Sequence, residues 1–200
     1  RKQQYFFDFV QDELIARYGL RTVRQGGLKV YTTLQPDLQA AAEQAIIDHP
    51  VSSAANALVS IDSHTGEIIA MASSSSYDAS QFNLAAQGTR QPGSSFKPFV
   101  LATAIDQGMD PDSTYYNGSS TTLYPPGGPP WQVASDGSGS ASLRDATAQS
   151  MNSVFAALGS DVGPANFDEM AKKLGITSEL QAVPAEAIGG TAYCCTVLEM

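Results

Sequence analysis

In the stretch QPGSSFKPFV, Ser94 precedes Lys97 by three positions, a spacing that on a helix sets a hydroxyl beside an amine. The lysine opens FKPFVLATAIDQGM, a run apolar almost all round, which is the pattern of a helix buried in a core. Gly108 supplies its stop. Pro98 is tolerated in a first turn but not in a helix interior, so the helix must start at about Gly93 to Ser95, with Ser94 at its N-terminus. A buried ammonium loses hydration, which favours the free amine; taking a lysine from about 10.4 to about 7 or 8 corresponds to roughly 3–5 kcal/mol. The expectation is that Lys97 is buried in order to be neutral. Such an amine is a general base for the neighbouring hydroxyl as its oxygen attacks a carbonyl, while amides at the helix start, Ser94's own included, help hold the oxyanion. The chemistry is acyl transfer through a covalent ester.

A serine–lysine pair at this spacing arises about half a time by chance in a chain of this composition. Ser94 as a plain helix cap and Lys97 reaching to water is the competing structural reading. A second element is therefore needed, and AQSMNSVFAAL supplies it. Ser150 and Asn152 flank Met151 at the front of the apolar helical stretch Val154, Phe155, Leu158, which puts them on a turn or cap with side chains presented outward. Capping is again the plain alternative. A hydroxyl there can relay a proton between the lysine and a leaving amine, and the amide can fix a substrate carbonyl and the lysine together.

Other segments must position these residues. Tyr5, Phe6, Phe9, Val10 and Leu14 recur at helical spacing ahead of Gly19. GGLKVYTTLQ alternates, with Leu28, Val30 and Thr32 on one face of an expected strand, and Pro36 opens a second helix through Ala45 and Ile46. ALVSID and GEIIAMA read as a β-hairpin turning at Ser63, His64 and Thr65, with Gly66 free to take a positive φ. Residues 73 to 80 form a polar, serine-rich loop. Residues 111 to 140, rich in Pro, Gly and Ser, are too long for a plain connection and are expected to fold locally or to move. Helical spacing returns from Leu143 to Leu158 and from Asn166 to Leu174.

The chain has 200 residues, 42% hydrophobic, enough for a sizeable core, and its formal charge of −9 argues against a nucleic-acid partner. No apolar run reaches the length of a membrane helix, and no signal-peptide pattern opens the chain. Cys194 and Cys195 are adjacent, closer than ordinary disulfides allow, and are read as two buried free thiols. His49 and His64 have no partners at ligand spacing, so neither a metal nor a cofactor is expected.

At this point the sequence resembles the transpeptidase domain of class A penicillin-binding proteins, in which S-x-x-K pairs with an S-x-N type motif. GGLKVYTTLQPDLQAAAEQAI looks like the segment preceding that domain, ALVSIDSHTGEIIAMAS like its first hairpin, and FNLAAQGTRQPGSSFKPFVLATAIDQG like its nucleophile region. SASLRDATAQSMNSVFAAL and FDEMAKKLGI continue in the same order. The resemblance implies a D,D-transpeptidase in which Ser94 is the nucleophile, Lys97 the base, Ser150 a proton relay and Asn152 an anchor for substrate and lysine. Trp131 is a candidate wall of the cleft, and Ser95 and Phe96 are assigned to packing. It further implies an α/β (α+β) fold, an antiparallel sheet flanked by helices, akin to serine β-lactamases and incomplete here. Residues 1–50 would be a linker and 51–200 the N-terminal part of the domain. The implied partners are peptidoglycan stem peptides ending in D-Ala-D-Ala, β-lactam antibiotics and the missing C-terminal part of the domain. The implied location is extracytoplasmic, on the envelope side of a bacterial plasma membrane, with an anchor outside this chain.

One motif departs from the pattern. No K-T-G follows the S-x-N; HTG at 64 to 66 lies in the hairpin turn and is read as turn chemistry. The chain is accordingly expected to be a piece of a longer protein, crippled on its own. A non-catalytic penicillin-binding or structural fragment is the alternative. A serine β-lactamase ranks lower, because Glu169, Glu179 and Glu186 lack the sequence context of a water-activating carboxylate.

Overall fold

A computed structural model of the chain describes residues 3–51, 54–125, 128–134, 137–191 and 194–200. It divides into two compact units, one of residues 1–89 with 196–198 and one of residues 90–195 with 199–200.

In the first unit, α1 (Gln4–Tyr18) buries Tyr5 and Phe6 and ends at Gly19, whose N–H bonds to the Ile15 carbonyl at 2.8 Å. Phe6 packs with Met71 and Ala85, and Phe9 and Val10 lie against them, as the spacing predicts. α2 (Leu20–Gln25) buries nothing. The expected strand over 26–35 does not form: Leu28 and Val30 are 47% and 45% exposed. Among the described residues no strand pairs with it, and its end is tied down by Thr33 Oγ1 donating to the Ile68 carbonyl and Gln35 N–H to that of Ile69. α3 (Pro36–Asp48) follows with Pro36 in its first turn. β1 (Ala57–Ile61) and β2 (Ile68–Ser73) pair antiparallel as the expected hairpin, and the Asp62 carboxylate accepts the N–H groups of His64 and Thr65. His64, Thr65 and Gly66 are thus turn residues, Gly66 at φ 77°. A short α4 (Leu84–Gln87) is capped by Asn83, whose Oδ1 accepts from Ala85 N–H.

The free edge of β2 is closed by a side chain. Gln39, 1% exposed on α3, donates to the Met71 carbonyl at 2.9 Å and accepts its N–H at 2.8 Å. One amide thereby satisfies two backbone groups that would otherwise be buried without partners.

The second unit carries the residues of interest. A 3-10 turn (Gly93–Phe96) runs into α5 (Lys97–Asp106), which ends before Gly108. Residues 111–140 do fold locally: β3 (Tyr115–Asn117) pairs with β6 (Ser140–Ser142), and β4 (Thr121–Leu123) with β5 (Trp131–Val133), each antiparallel. Among the described residues the antiparallel strands therefore form three two-stranded sheets. Ser142 caps α6 (Leu143–Ala148), and the helical stretch expected from Leu143 breaks before α7 (Asn152–Val162). α8 (Pro164–Lys173) and a second 3-10 turn (Pro184–Ile188) complete the unit. Phe96, Val100, Leu143, Val154, Phe155, Leu158 and Phe167 form its fully buried centre.

The cysteines correct the sequence reading. Cys194 and Cys195 are both buried, but they are bonded to each other rather than free. The ring closes at a Cα–Cα separation of 3.7 Å, below the ordinary range on which adjacency was excluded. The pair sits opposite Arg90, whose N–H bonds to the Cys195 carbonyl.

Replacing Gln39 by Ala leaves the Met71 N–H and carbonyl unsatisfied and should cost the first unit about 2–4 kcal/mol. Urea denaturation followed by a probe in that unit measures it; an unchanged midpoint would mean that water replaces the amide.

Candidate active site

The site is built on the turn before α5. Phe96, fully buried, anchors that turn against Phe99 and Phe167, with ring centroids 5.0 and 6.2 Å away. Its hydroxyl-bearing neighbours face out: Ser94 and Ser95 are exposed. Contrary to the packing role assigned to it, Ser95 is exposed, and its Oγ donates to the Pro92 carbonyl at 2.6 Å and closes the turn. The Lys97 N–H bonds to the Ser94 carbonyl, so the turn of chain from Ser94 to Lys97 is itself hydrogen-bonded.

Lys97 points inward and is 3% exposed. Its Nζ donates to the Ser150 carbonyl at 2.5 Å, to Ser150 Oγ at 3.0 Å and to Asn152 Oδ1 at 2.8 Å, and lies 5.4 Å from the centroid of the Phe155 ring. The junction of α6 and α7 makes this possible. The N–H groups of Ser150 and Met151 bond back to Thr147 and Ala146, and Ser150 takes φ 53°, the left-handed region that L residues adopt at a cost. That reversal turns the Ser150 carbonyl and hydroxyl to the same side as Asn152, the first residue of α7. Ser153, buried behind them, donates to the Gly118 carbonyl at 3.0 Å and ties the junction to the loop after β3.

The three acceptors are not equivalent. A carbonyl and an amide oxygen only accept, whereas a hydroxyl also donates. An ammonium can donate to all three. A free amine can donate to the Ser150 carbonyl and Asn152 and take a proton on its lone pair from a hydroxyl, either Ser150 or an incoming Ser94. The arrangement accommodates both protonation states without moving a heavy atom, which is what a proton-transfer group needs.

The structure thus joins three of the sequence-derived residues, Lys97, Ser150 and Asn152, by direct bonds, and holds Ser94 exposed one turn of chain before the lysine. Trp131 is half-buried on β5 opposite Leu123, and no hydrogen bond or ring contact among the described residues links it to this cluster. Glu169 pairs with Lys173 on the surface of α8, whereas Glu186 is buried with both oxygens taken by backbone N–H groups. Among the described residues no three His, Cys, Asp or Glu side chains gather as a metal site. Sequence reasoning missed Phe155, read simply as part of an apolar helical stretch, and the close approach of Gly189 to the turn that carries Ser94. The only sequence signal for the latter is the Gly189-Gly190 pair.

Comparison with known proteins agrees with this geometry. Residues 56–192 match the family model described as the penicillin-binding protein transpeptidase domain. The chain is 31% identical to penicillin-binding protein 1B of Escherichia coli over 94% of its own length and 24% of that protein's. It superposes on the crystal structure of penicillin-binding protein 1A from Haemophilus influenzae with a TM-score of 0.63, at 32% identity, covering 72% of this chain and 22% of that one. A ceftriaxone acyl-enzyme complex of penicillin-binding protein A from M. tuberculosis gives 0.68 at 25% identity, over 84% of this chain and 48% of that one. The chain spans about a quarter of the length of the curated relatives it matches.

The left-handed backbone at Ser150 makes a testable difference between two variants that both remove the hydroxyl. Ser150→Gly should be more stable than Ser150→Ala by about 1 kcal/mol, the reverse of their order in a helix. Thermal unfolding of the two decides it, and equal stability would mean that the junction relaxes out of this conformation.

Proposed function

We propose, because the chain belongs to the penicillin-binding protein transpeptidase family, that it carries the nucleophile half of a D,D-transpeptidase site that cross-links peptidoglycan stem peptides through a serine acyl-enzyme. The observation that carries this reading is the buried Lys97 amine, ringed by Ser150 and Asn152 beneath an exposed Ser94. Ser94 Oγ bonds to the carbonyl carbon of the penultimate D-alanine while its proton passes to Lys97 Nζ. The C–N bond to the terminal D-alanine then breaks, and its nitrogen takes a proton from Lys97 relayed through Ser150 Oγ. An amine of a neighbouring strand attacks the ester in turn, yields its proton to Lys97 and restores the Ser94 hydroxyl. Asn152 keeps the lysine in place through these exchanges and offers its amide N–H to a substrate carbonyl. The Ser94 N–H contributes one oxyanion donor.

A β-lactam offers the same carbonyl in a ring, so its opening leaves the ester on Ser94 with no departing group. We assign the K-T-G strand and the second oxyanion amide to a part of the protein outside these 200 residues. We assign Trp131 to the cleft wall, and residues 1–50 to a linker ahead of the domain. From the family resemblance we further propose that the site works on the envelope side of the bacterial plasma membrane. No helix among the described residues is long and apolar enough to cross one, so we place the anchor elsewhere in the protein.

Incubating the full-length protein with benzylpenicillin and weighing it intact tests the assignment. One penicillin per molecule is expected, and none in Ser94→Ala. An unmodified wild-type protein, or an adduct that survives in Ser94→Ala, would contradict it.

A further inference from the structure

Two buried carboxylates lie outside the proposed proton-transfer path. Glu186, 1% exposed in the second 3-10 turn, accepts the Gln181 N–H on one oxygen at 2.9 Å and the Val183 N–H on the other at 3.0 Å. Asp168, 4% exposed on α8, accepts the N–H between them, that of Ala182, at 2.8 Å. Three consecutive backbone amides are therefore held by two carboxyl groups, and Ala182 is fixed at φ 54°, a left-handed conformation that a non-glycine residue keeps only when its surroundings impose it. Burying two carboxyl groups side by side is costly, and a chain that needed only a loop at this place could make one from solvent-exposed residues.

What the clamp holds leads to Ser94. The 3-10 turn begins at Pro184, directly after the clamped residues, buries Ala187 against Gly159 and ends at Gly189, whose N–H bonds to the Glu186 carbonyl at 2.8 Å. Gly189 lies so close to the backbone of Gly93 that a Cβ on it would overlap the Gly93 carbonyl. Gly93 is the residue before Ser94. We infer that Glu186, with Asp168, is a positioning residue for the nucleophile: the carboxylate clamp on residues 181–183 fixes the 3-10 turn that supports Gly93 and so sets where Ser94 presents its hydroxyl and its N–H. The inference rests on the reading of Ser94 as nucleophile.

The two carboxyl groups act as a pair. Burial first, and then the charge of Glu186, raise the pKa of Asp168 from 3.8 to about 6, against which Lys172 on the same helix and the Ala182 N–H pull it down. The other helices packed on α8, α5 and α7, contribute no charged group to that balance. Asp168 Oδ1 has no hydrogen-bond partner among the described residues and is the oxygen able to carry the proton. Because the folded protein binds this proton more tightly than the unfolded chain, the contribution of Asp168 to stability is present below about pH 4 and is lost as pH rises through about 6. Asp168→Asn keeps an oxygen for Ala182 and supplies a permanent N–H where the proton would sit. Glu186→Gln keeps the shape but turns an NH2 toward a backbone N–H.

The test uses the full-length protein, with β-lactam acylation rate and hydrogen exchange of peptides covering 90–97 and 178–190 as readouts. Glu186→Gln should acylate at least about tenfold more slowly, and the 90–97 peptide should lose protection together with 178–190, as one coupled unit. Wild-type acylation in Glu186→Gln, or loosening confined to 178–190, would overturn the inference. Should Glu186→Gln not fold, Asp168→Asn decides: protection of 90–97 should change between pH 4 and 7 in the wild type and stay level in the variant, and identical profiles would overturn the inference. A wild-type protein that takes no β-lactam would sink the reading of Ser94, while the exchange data would still show whether the clamp reaches Gly93.

Discussion

A primary amine buried to 3% exposure has to find an oxygen for every N–H it keeps, and most of the second unit is arranged around meeting that need for Lys97. The acceptors come from a stretch of chain more than fifty residues away, so the break between α6 and α7 has to occur at one place and in one conformation. The cost is visible as the left-handed backbone of Ser150. The floor beneath the amine is the Phe155 ring, whose face tolerates a cation and does not compete for a neutral amine's lone pair. Of the three oxygens bonded to Nζ, two belong to groups that accept without donating from that atom, so among them the Ser150 hydroxyl is the one that can also hand on a proton.

Backbone strain follows the same geography. Ser150 and Ala182 are the two non-glycine residues of the second unit with positive φ among those described, and each is held by a bond to another element, Ser150 by Lys97 and Ala182 by Asp168. One orients the acceptors for Lys97, and the other lies between the two carboxylate-bonded amides just ahead of the 3-10 turn that approaches Gly93. Strain of this kind persists when neighbouring hydrogen bonds over-determine it, and it gathers where a fold must hold a group in one place.

The local parts of this architecture were legible in the sequence. Pro98 and the all-round apolar run placed the start of the helical segment at Gly93, although its first turn is 3-10 and α5 itself opens at Lys97; the hairpin was plain from two strand-like runs around an Asp-to-Gly turn, and a boundary at Ser150–Asn152 could be read from the helix that follows. The contact between Lys97 and that boundary was not, because spacing within one helix carries no information about a partner 53 residues on; the residue types allowed it as chemistry, and the family resemblance implied it. Leu28, Val30 and Thr32 misled because alternation reports an extended chain with two faces and says nothing of whether a neighbouring strand exists. Glu186 was weighed only as a candidate water activator, since nothing in VPAEAIGG shows that its carboxylate turns inward to backbone amides. The clamp exists only in three dimensions.

The central claim is that Lys97 serves as a base and not only as a strut. Arginine separates the two roles, because it keeps a positive charge and several donors for Ser150 and Asn152 yet does not give up its proton in proteins. With folding verified by circular dichroism, β-lactam acylation of Lys97→Arg should fall by about 10²–10⁴-fold, the usual worth of a general base. A rate within about threefold of wild type would contradict it and leave Lys97 as a support for the α6–α7 junction.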